Sequence, residues 1–251
     1  MARYDIRTPR LHTDAALGAG ISIALDQAQA HYLLHVLRLT TGDPVLLFNG
    51  RDGEWRARLE QPGKRTVSAQ LEEPTRLQTA PGDLHYWFAP LKHSRLDYMA
   101  QKAVEMGAAR LQPVITRHTQ AARVNLDRMR ANAIEAAEQC GVLTLPAIGA
   151  PITLDAAQAQ REPSRLLVFC DEDAEVKDPV AALQGARAGR SGAIPLALLI
   201  GPEGGFAEDE RAMLLQAPNV LRLALGPRIL RADTAAVAAL ALVQAVLGDW
   251  R

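Results

Sequence analysis

The chain has 251 residues, enough for one large domain or two modest ones with a substantial buried core. Its 28 Lys and Arg balance 28 Asp and Glu, and this zero net charge argues against nonspecific, purely electrostatic nucleic-acid binding. Aromatic residues make up 4% of the chain, too few for a surface built mainly on repeated base stacking.

Cysteine usage and the two ends of the chain indicate a compartment. Cys140 and Cys170 cannot build a disulfide framework and lack Cys-x-x-Cys spacing, which favours a reducing environment. The first twenty residues carry charges throughout, so we predict no signal peptide. The most apolar segment, 235–247, is shorter than the ~20 residues that a bilayer span requires. We therefore predict a cytoplasmic protein.

The first seventy residues have the pattern of a small β domain. "DPVLLFNG", "GEWRARLE" and "RTVSAQLE" are short strand-like runs, separated by the turn sequences "NGRDG" and "QPGKR". Asp26 is a predicted N-cap for one helix, "QAQAHYLLHVLRL". We predict a small barrel over residues 1–72 and a proline-bearing linker over residues 73–83.

From residue 84 onward, strands alternate with helices. "LHYWFAPL" and "RLQPVIT" are predicted strands, each followed by a predicted helix, and the second helix is closed by Gly141. "SRLLVFC", "IPLALLIG" and "VLRLALG" follow as three apolar strands. This rhythm predicts an α/β domain over residues 84–251, with a mostly parallel sheet covered on both faces.

The turn "GPEGGF" follows one of these strands. Its glycines, Gly201, Gly204 and Gly205, do not fit the G-x-G-x-x-G pattern of dinucleotide-binding turns, and no Lys precedes a Ser or Thr as in a phosphate-binding P-loop. Glu203 and the acids at 208–210 place carboxylates where a polyphosphate would lie. The pattern therefore favours a ligand that is held by backbone groups and is uncharged or cationic near the turn.

A second turn, "LGPRILRADTA", follows the last strand. Pro227 stiffens the backbone after Gly226, Arg228 and Arg231 bring cations, and Asp233 or Thr234 is a predicted cap for the next helix. Ligands of open parallel sheets bind beyond the carboxyl ends of the strands, so both turns can line one crevice. Two plain strand-to-helix turns with surface arginines are the alternative.

Taken together, "LIGPEGGF" and "LGPRILRADTA" resemble the paired signature of the SPOUT methyltransferase superfamily, specifically the bacterial 16S ribosomal RNA uridine N3-methyltransferases. "HYLLHVLRLTTGD", "QKAVEMGAARLQPV" and "EAAEQCG" agree in order, so the resemblance covers essentially the whole chain. Two positions depart from the usual family residues: Val142 stands where arginine is frequent, and Asp233 where glutamate is frequent.

This resemblance implies an N-terminal PUA-like β-barrel, a SPOUT α/β domain with a C-terminal trefoil knot, and a homodimer. It implies S-adenosyl-L-methionine as cofactor, with no metal and no membrane, and N3 of U1498 in 16S ribosomal RNA of the small subunit as target. The cofactor-binding residues implied by motif match are Ile200, Gly201, Pro202, Glu203, Gly204, Gly205, Leu225, Gly226, Arg228, Ile229, Leu230 and Thr234.

The chemistry requires loss of the uridine N3 proton. We expect Arg231 to stabilise the uracil anion or orient a base, and Asp233 or Glu203 to accept the proton, while Arg228 could instead anchor a phosphate. Between Lys92 and Arg130 there are eight Lys and Arg against three Asp and Glu. The candidate RNA-binding residues are Lys92, Arg95, Lys102, Arg117 and Arg123, together with Arg3, Arg7, Arg10, Arg38, Arg51 and Arg56 of the barrel.

Other functions remain open from sequence. A methyltransferase acting on another RNA nucleotide, a nucleotide-dependent oxidoreductase with an unusual glycine turn, and a nonenzymatic RNA-binding assembly factor are the alternatives. His31 and His35 have the i, i+4 spacing of metal ligands, but "HYLLH" lacks the glutamate of a zinc-protease helix and a nearby third ligand. Cys140 and Cys170 lack histidine neighbours in sequence, which disfavours nucleophilic catalysis.

Overall fold

A computed structural model describes residues 5, 7–61, 66–92, 94–121, 123–175 and 178–250. The chain divides into two compact units. The first comprises Met1–Ala80 with Ala137–Leu145, and the second comprises Pro81–Ala136 with Pro146–Arg251. The domain boundaries proposed from sequence stay a prediction.

The first unit contains a five-stranded sheet that curves into a half-barrel. Its strands follow the order β1-β3-β4-β5-β2, with β1 parallel to β3 and the other neighbours antiparallel. A short helix and a π-helical segment follow β2. The elements are β1 (Arg10–His12), β2 (Ser22–Ala24), α1 (Gln27–His31), the π-helical segment Tyr32–Val36, β3 (Pro44–Phe48), β4 (Glu54–Glu60) and β5 (Ser68–Arg76).

One face of the sheet forms the core of the first unit, and the other face of β3 is buried as well. Val45 and Leu47 of β3 pack with Ala57 of β4 and Ala69 of β5, all of them fully buried. Leu33 adds a buried side chain from the π-helical segment. Burying each large aliphatic side chain contributes about 1.5–3 kcal/mol to the free energy of folding, and this burial stabilises the sheet.

The N-cap prediction at Asp26 is confirmed. Its carboxylate accepts a hydrogen bond from the Gln29 backbone N–H over 2.8 Å, and the Gln29 side chain accepts one from the Asp26 N–H over 3.2 Å. The predicted single helix is wrong beyond His31, where the chain widens into π-helical geometry, and Arg38 adopts a left-handed φ of 58°. Packing of Leu33 into the core, rather than helical periodicity, sets this path.

Strand β5 is longer than its sequence pattern predicts. It continues through Arg76, inside the segment proposed as a linker, because β4 supplies backbone partners as far as Glu54. Register shifts in this pairing accommodate Pro74, which has no N–H to donate. Most of the predicted "QPGKR" turn, residues 62–65, lies outside the described residues, as does Arg3.

The second unit is an α/β fold with the sheet order β12-β10-β11-β6-β7-β8, while β9 also pairs with β7. All of these pairings are parallel, which confirms the prediction. The strands are β6 (Leu84–Phe88), β7 (Arg110–Ile115), β8 (Ala147–Ile148), β9 (Ile152–Thr153), β10 (Leu166–Cys170), β11 (Leu196–Ile200) and β12 (Val220–Leu223). The helices are α2 (Ser94–Glu105), α3 (Leu126–Cys140), α4 (Leu154–Gln160), α5 (Pro179–Arg187), α6 (Glu208–Gln216) and α7 (Ala232–Val246), and α3 ends in the first unit.

Both faces of the parallel sheet are covered, as predicted. Trp87 and Phe169 pack on one face with Leu214 of α6, and the alternate positions, such as Tyr86 and Leu198, are also buried. Near-continuous apolar strands are typical of a sheet with two covered faces. Helix α3 ends at Cys140, and Gly141 closes it with a φ of 67°, as predicted.

The apolar segment at the end of the chain forms most of α7, which contacts α2, α5 and β11. Among the described residues, no helix combines the length and the apolar character of a membrane span. The trefoil knot implied by the family resemblance stays a prediction.

Candidate active site

Three neighbouring strands bring the two glycine turns together. The register places Cys170 at the end of β10 opposite both Ile200 of β11 and Leu223 of β12. Because these strands are parallel, the segments that follow them leave the sheet at one edge. They enclose a cleft of about 530 Å³, which lies within the size range of ligand pockets.

The cleft is lined by residues of both predicted turns and of the segment after β10. From the turns come Ile200, Gly201, Pro202, Glu203, Gly204, Gly205, Leu225, Gly226, Pro227, Arg228, Ile229, Leu230 and Arg231. The remaining lining residues are Cys170, Asp171, Glu172, Ala174, Leu223, Ala224, Ala232 and Ala235. The sequence prediction that both turns line one crevice is thus confirmed.

Close packing explains two of the three glycines in the first turn. A Cβ atom on Gly201 would lie 2.9 Å from the ring of Phe206, which is buried against Phe169. Gly205 has a left-handed φ of 68°, and a Cβ atom there would collide with the Glu172 carboxylate. The turn therefore packs closely against Phe206 and Glu172, and its glycines expose backbone groups to the cleft beside the Glu203 side chain.

The second turn is more open. Gly226 has a φ of 108°, and a Cβ atom on it would meet no other atom within 4 Å, so its backbone angle alone calls for glycine. Ile229, at the tip of the turn, is 94% exposed, and Arg228 is also exposed. An apolar side chain this exposed beside a cleft is available to cover a bound ligand.

Arg231 and Asp233 lie at the start of α7. The Arg231 Nε atom is 3.7 Å from an oxygen of Asp233, and the Arg231 side chain is 62% exposed. The prediction that Asp233 or Thr234 caps α7 is wrong, because the helix begins at Ala232 and Arg231 occupies the N-cap position without a side-chain bond. Apolar packing of Ala232, which is buried, starts the helix before either residue.

Of the proposed catalytic residues, Arg231 and Glu203 line the cleft, whereas Asp233 does not. Asp233 and Thr234 line a separate groove between α2 and α7, together with Arg95 and Tyr98. Thr234, proposed as a cofactor-binding residue, is therefore placed beside the cleft rather than in it. Ala232 and Ala235 of α7 face the cleft, and the intervening Asp233 and Thr234 lie on another face of the helix, towards the groove.

Glu203 is held by α2. Arg95 donates a hydrogen bond from Nη1 to the Glu203 Oε1 atom over 2.8 Å, in an ion pair whose side chains are each about two-fifths exposed. This pair orients the carboxylate at the mouth of the cleft. Its exposure limits the free energy that it contributes to folding to at most about 1 kcal/mol.

The sequence analysis missed the segment after β10. Asp171 is completely buried, and its carboxylate accepts hydrogen bonds from Arg211 over 3.0 Å and from Arg222 over 2.7 Å. This network fastens α6 and β12 to the end of β10, beneath the cleft. The available signal was the acidic run that follows the apolar strand "LLVFC", since that strand also ends at the ligand-binding edge.

Cys170 lies at the floor of the cleft, where desolvation and the neighbouring Asp171 carboxylate raise the pKa of its thiol to about 12. A thiol with this pKa stays protonated near neutral pH and is a poor nucleophile. Cys140 is exposed. For Cys170, this high pKa is a physical reason against nucleophilic catalysis, in agreement with the sequence-based prediction.

Two groups have the composition of metal ligands. Asp171, Glu172 and Asp173 lie within 4.8 Å of one another, but Arg211 forms ion pairs with all three carboxylates. The rings of His31, at the end of α1, and His35, on the π-helical segment, are 5.0 Å apart.

Most of the candidate RNA-binding cations are exposed or half-exposed. Arg7, Arg38, Lys92 and Arg123 are exposed. Lys102 pairs with Glu105 over 2.6 Å, Arg117 pairs with Asp209, and Arg56 pairs with Glu73 over 3.1 Å. Arg51 donates a hydrogen bond to the Asp14 carbonyl oxygen.

Arg10 is the exception among these cations, because it is buried and forms an ion pair with Glu54. Arg76 donates to the same carboxylate. This arrangement ties together the strand ends of the first unit and gives Arg10 a structural role, while its contact with RNA phosphate stays a prediction.

The cleft suits the cofactor that the family resemblance implies. Its glycine turns offer backbone donors and acceptors, its volume suits a nucleoside-sized ligand, and the Glu172 and Glu203 carboxylates on its wall favour a cation over a polyphosphate. The residues that would hold the cofactor are therefore the backbone groups of 200–205 and 225–230.

The parallel α/β unit and the half-barrel unit each match a family of RNA methyltransferases, which gives the class of the protein. The family described as "RNA methyltransferase domain" matches residues 78–244, and the family "RNA methyltransferase PUA domain" matches residues 25–72. The chain belongs to the ribosomal RNA small subunit methyltransferase E family. A member from Rickettsia conorii is 31% identical over 234 residues, 93% of each chain.

Solved structures agree with this assignment. The ribosomal RNA small subunit methyltransferase E of Neisseria gonorrhoeae, bound to S-adenosylmethionine, has a TM-score of 0.84 and 28% identity, and covers 98% of this chain and 100% of its own. A Legionella pneumophila protein in complex with S-adenosylmethionine has a TM-score of 0.78 and 28% identity, over 95% and 98% of the two chains. These comparisons confirm the family, its PUA-like first unit and its SPOUT-type second unit.

Proposed function

We propose that this protein transfers a methyl group from S-adenosyl-L-methionine to N3 of a uridine in 16S ribosomal RNA, the family target being U1498. The observation that carries the proposal is the single cleft built by two glycine turns at adjacent parallel strand ends, in a chain of the small subunit methyltransferase E family. The bound cofactor supplies an electrophilic methyl group. Every other requirement of the reaction falls on this chain and on the RNA.

The first requirement is position. Backbone groups of both turns hold the cofactor at the strand ends, and the buried Asp171 network keeps these ends in register. Holding two reactants in reactive geometry contributes up to ~7–11 kcal/mol to lowering a barrier. Gly201 packs closely against the buried Phe206 ring, and this contact holds the first turn in place at the strand ends.

The second requirement is removal of the N3 proton and stabilisation of the uracil anion. Arg231 lines the cleft and carries a positive charge at the amino end of α7, where backbone N–H groups also favour an anion. Glu203 lines the same cleft, so we assign it proton acceptance in preference to Asp233. Asp233 instead orients the Arg231 guanidinium from 3.7 Å away.

The third requirement is the RNA itself. Lys92, Arg123 and Arg228 are exposed cations of the second unit that suit phosphate contacts. We infer that the substrate is 16S ribosomal RNA within the small ribosomal subunit, and that the reaction takes place in the cytoplasm. We also infer a homodimer, for which the groove lined by Tyr98, Val237 and Ala238 supplies an apolar surface.

The test is direct. Purified protein is incubated with S-adenosylmethionine and small subunits from cells that lack the equivalent enzyme, and the RNA is digested to nucleosides for mass spectrometry. Appearance of 3-methyluridine supports the proposal. Another methylated nucleoside would assign the enzyme a different target, and cofactor binding without any methylation would favour a nonenzymatic assembly factor.

A further inference from the structure

A second pocket of the α/β unit lies outside the cofactor cleft. It has a volume of about 260 Å³, half that of the cleft, and is formed by α2 and the segment before it and by α3 and the segment that leads into it. Its lining residues are Leu91, Lys92, Leu96, Asp97, Ala100, Ala121, Arg123, Asn125, Arg128, Met129 and Asn132. None of them lines the cleft.

The floor of this pocket is apolar and its rim is basic. Leu96 and Ala121 contribute half-buried apolar side chains to the floor, above Leu91, Ala100 and Met129, which are each at most 2% exposed. Lys92 and Arg123 are exposed at the rim and have no ion-pair partner among residues 7–61, 66–92, 94–121, 123–175 and 178–250. A flat apolar floor under a cationic rim suits a ligand with one apolar face and one anionic group.

The carboxylate of the pocket is already neutralised. Asp97 accepts two hydrogen bonds from Arg128, over 2.9 and 2.6 Å, and a third from the Asn132 side-chain amide over 2.8 Å. This leaves the charges of Lys92 and Arg123 uncompensated, so the pocket attracts an anion. The side-chain oxygen of Asn132 remains as an acceptor.

Asn125 adds a donor. Its side-chain oxygen accepts a hydrogen bond from the Arg128 backbone N–H over 3.0 Å, which directs its amide nitrogen elsewhere. With the Asn132 oxygen, the pocket thus offers one donor and one acceptor above an apolar floor. This combination suits the edge and the face of a nucleobase.

The pocket is fastened to the first glycine turn from both sides. Arg95, next to the lining residue Leu96, pairs with Glu203, and the His118 ring nitrogen Nδ1 lies 3.0 Å from the Gly204 carbonyl oxygen. The backbone N–H of Arg117 donates to Glu210 over 2.8 Å. A ligand in this pocket therefore lies beside the methyl-transfer site, separated from it by the turn.

We propose that this pocket binds one unstacked nucleotide of the substrate RNA, a neighbour of the methylated uridine, with its base on the Leu96 and Ala121 side chains of the floor and its phosphate at Lys92 and Arg123. The inference rests on the proposed function for the identity of the RNA. Sequence-specific RNA recognition commonly uses such unstacked bases, which positions the target nucleotide by holding its neighbour.

The experiment measures binding of unmethylated small subunits as a function of salt, with no cofactor present. Lys92→Ala with Arg123→Ala should weaken binding about tenfold or more and lower the salt slope by about 0.7 for each phosphate that the protein no longer neutralises. Arg187→Ala with Arg190→Ala, which removes two charges at the carboxyl end of α5, where Arg190 donates a hydrogen bond to Asn219, is the control and should leave both quantities unchanged.

A second variant tests occupancy rather than charge. Ala121→Phe fills the pocket without changing its charge and should also weaken binding, while the affinity for S-adenosylmethionine, measured by calorimetry, stays at the unmodified value and verifies folding. Binding by both variants equal to that of the control pair would overturn the proposal. A charge effect without an Ala121→Phe effect would also overturn it, because the cations would then act as a plain surface.

Photocrosslinking identifies the nucleotide. 4-Thiouridine placed on either side of the target should crosslink to a peptide containing residues 91–100 or 121–132, and crosslinks only elsewhere would overturn the assignment. Failure of the unmodified protein to methylate the RNA would refute the proposed function. The binding and crosslinking results would still test the pocket independently, because neither measurement requires methyl transfer.

Discussion

Arg95 of α2 and Glu203 of the first glycine turn form an ion pair with an N–O distance of 2.8 Å. This single contact connects the cofactor cleft, which Glu203 lines, to the helix that borders both neighbouring pockets. We expect Arg95 to orient the Glu203 carboxylate and Glu203 to accept the proton. Substitutions at the two positions can distinguish these two roles.

Glu203→Gln should lower kcat for methylation about 100-fold or more, because a positioned base contributes 10²–10⁴-fold to proton transfer. Arg95→Met should lower it only a few-fold, since the carboxylate remains. Single-turnover rates with unmethylated small subunits measure both effects, and Asp233→Asn is the comparison for the competing base. Equal small losses for Glu203→Gln and Arg95→Met would show that the pair only holds the turn.

Arg231→Ala should reduce kcat by about 100-fold to 1,000-fold, the usual cost of removing one group that stabilises a developing anion. The dissociation constant for S-adenosylmethionine should change little, because backbone groups hold the cofactor. Arg228→Ala serves as the control and should affect the KM for RNA more than kcat. Unchanged turnover in the Arg231 variant would remove this arginine from the mechanism.

Gly201→Ala should weaken cofactor binding and destabilise the fold by about 1–3 kcal/mol, because its Cβ atom would lie 2.9 Å from the buried Phe206 ring. Calorimetric titration with S-adenosylmethionine and urea unfolding measure the two effects. Gly185→Ala is the control: Gly185 lies inside α5 in open space, so alanine there should stabilise the protein by about 0.5–1 kcal/mol. Normal cofactor affinity in Gly201→Ala would mean that the turn can shift freely.

Asp171→Asn should lower the free energy of unfolding by about 3 kcal/mol, because it leaves Arg211 and Arg222 without their buried partner. Asp173→Asn removes an exposed partner of the same Arg211 and should cost less than about 1 kcal/mol. Urea denaturation of both variants supplies the comparison. Similar losses for the two would contradict a specific role for the buried network.

His85 gives the second unit a pH dependence. Burial, followed by the charge of Arg165, lowers the pKa of its imidazole to about 4, whereas the unfolded chain has the ordinary value of about 6.5. The unfolded state therefore binds the proton first, and stability that is fully present above pH 6.5 is lost as the pH falls towards 4.

Between pH 7 and pH 4.5 this histidine should account for a loss of about 2 kcal/mol in the free energy of unfolding. Urea unfolding of the unmodified protein and of His85→Gln over this range isolates the effect from that of the carboxylates. The unmodified protein should lose more stability than the variant. Parallel curves for the two proteins would show that His85 is protonated equally in the folded and unfolded states.

The local elements and the class of the site were predictable from the amino-acid sequence alone. Apolar runs of five residues identified the strands β10 and β11, because a strand covered on both faces must be apolar throughout. The edge strand β12 is half-buried and contains Arg222, and its remaining apolar residues identified it. The glycine turns "GPEGGF" and "LGPRIL" were recognisable for the same local reason: their residues set the backbone path within a few positions. Family resemblance then supplied the cofactor.

Which charged side chains reach the site, in contrast, depends on the folded arrangement of the chain. Arg10 and Arg123 are the same residue type in the sequence. In the structure, however, Arg10 is buried in an ion pair with Glu54, and Arg123 is exposed at the second pocket. Asp233 lies two positions from Arg231 and still leaves the cleft, because α7 rotates it away, while Asp171 enters from a strand 30 residues before Gly201. Such placement depends on sheet order and helix rotation, which join residues far apart in the chain and leave no local pattern to read.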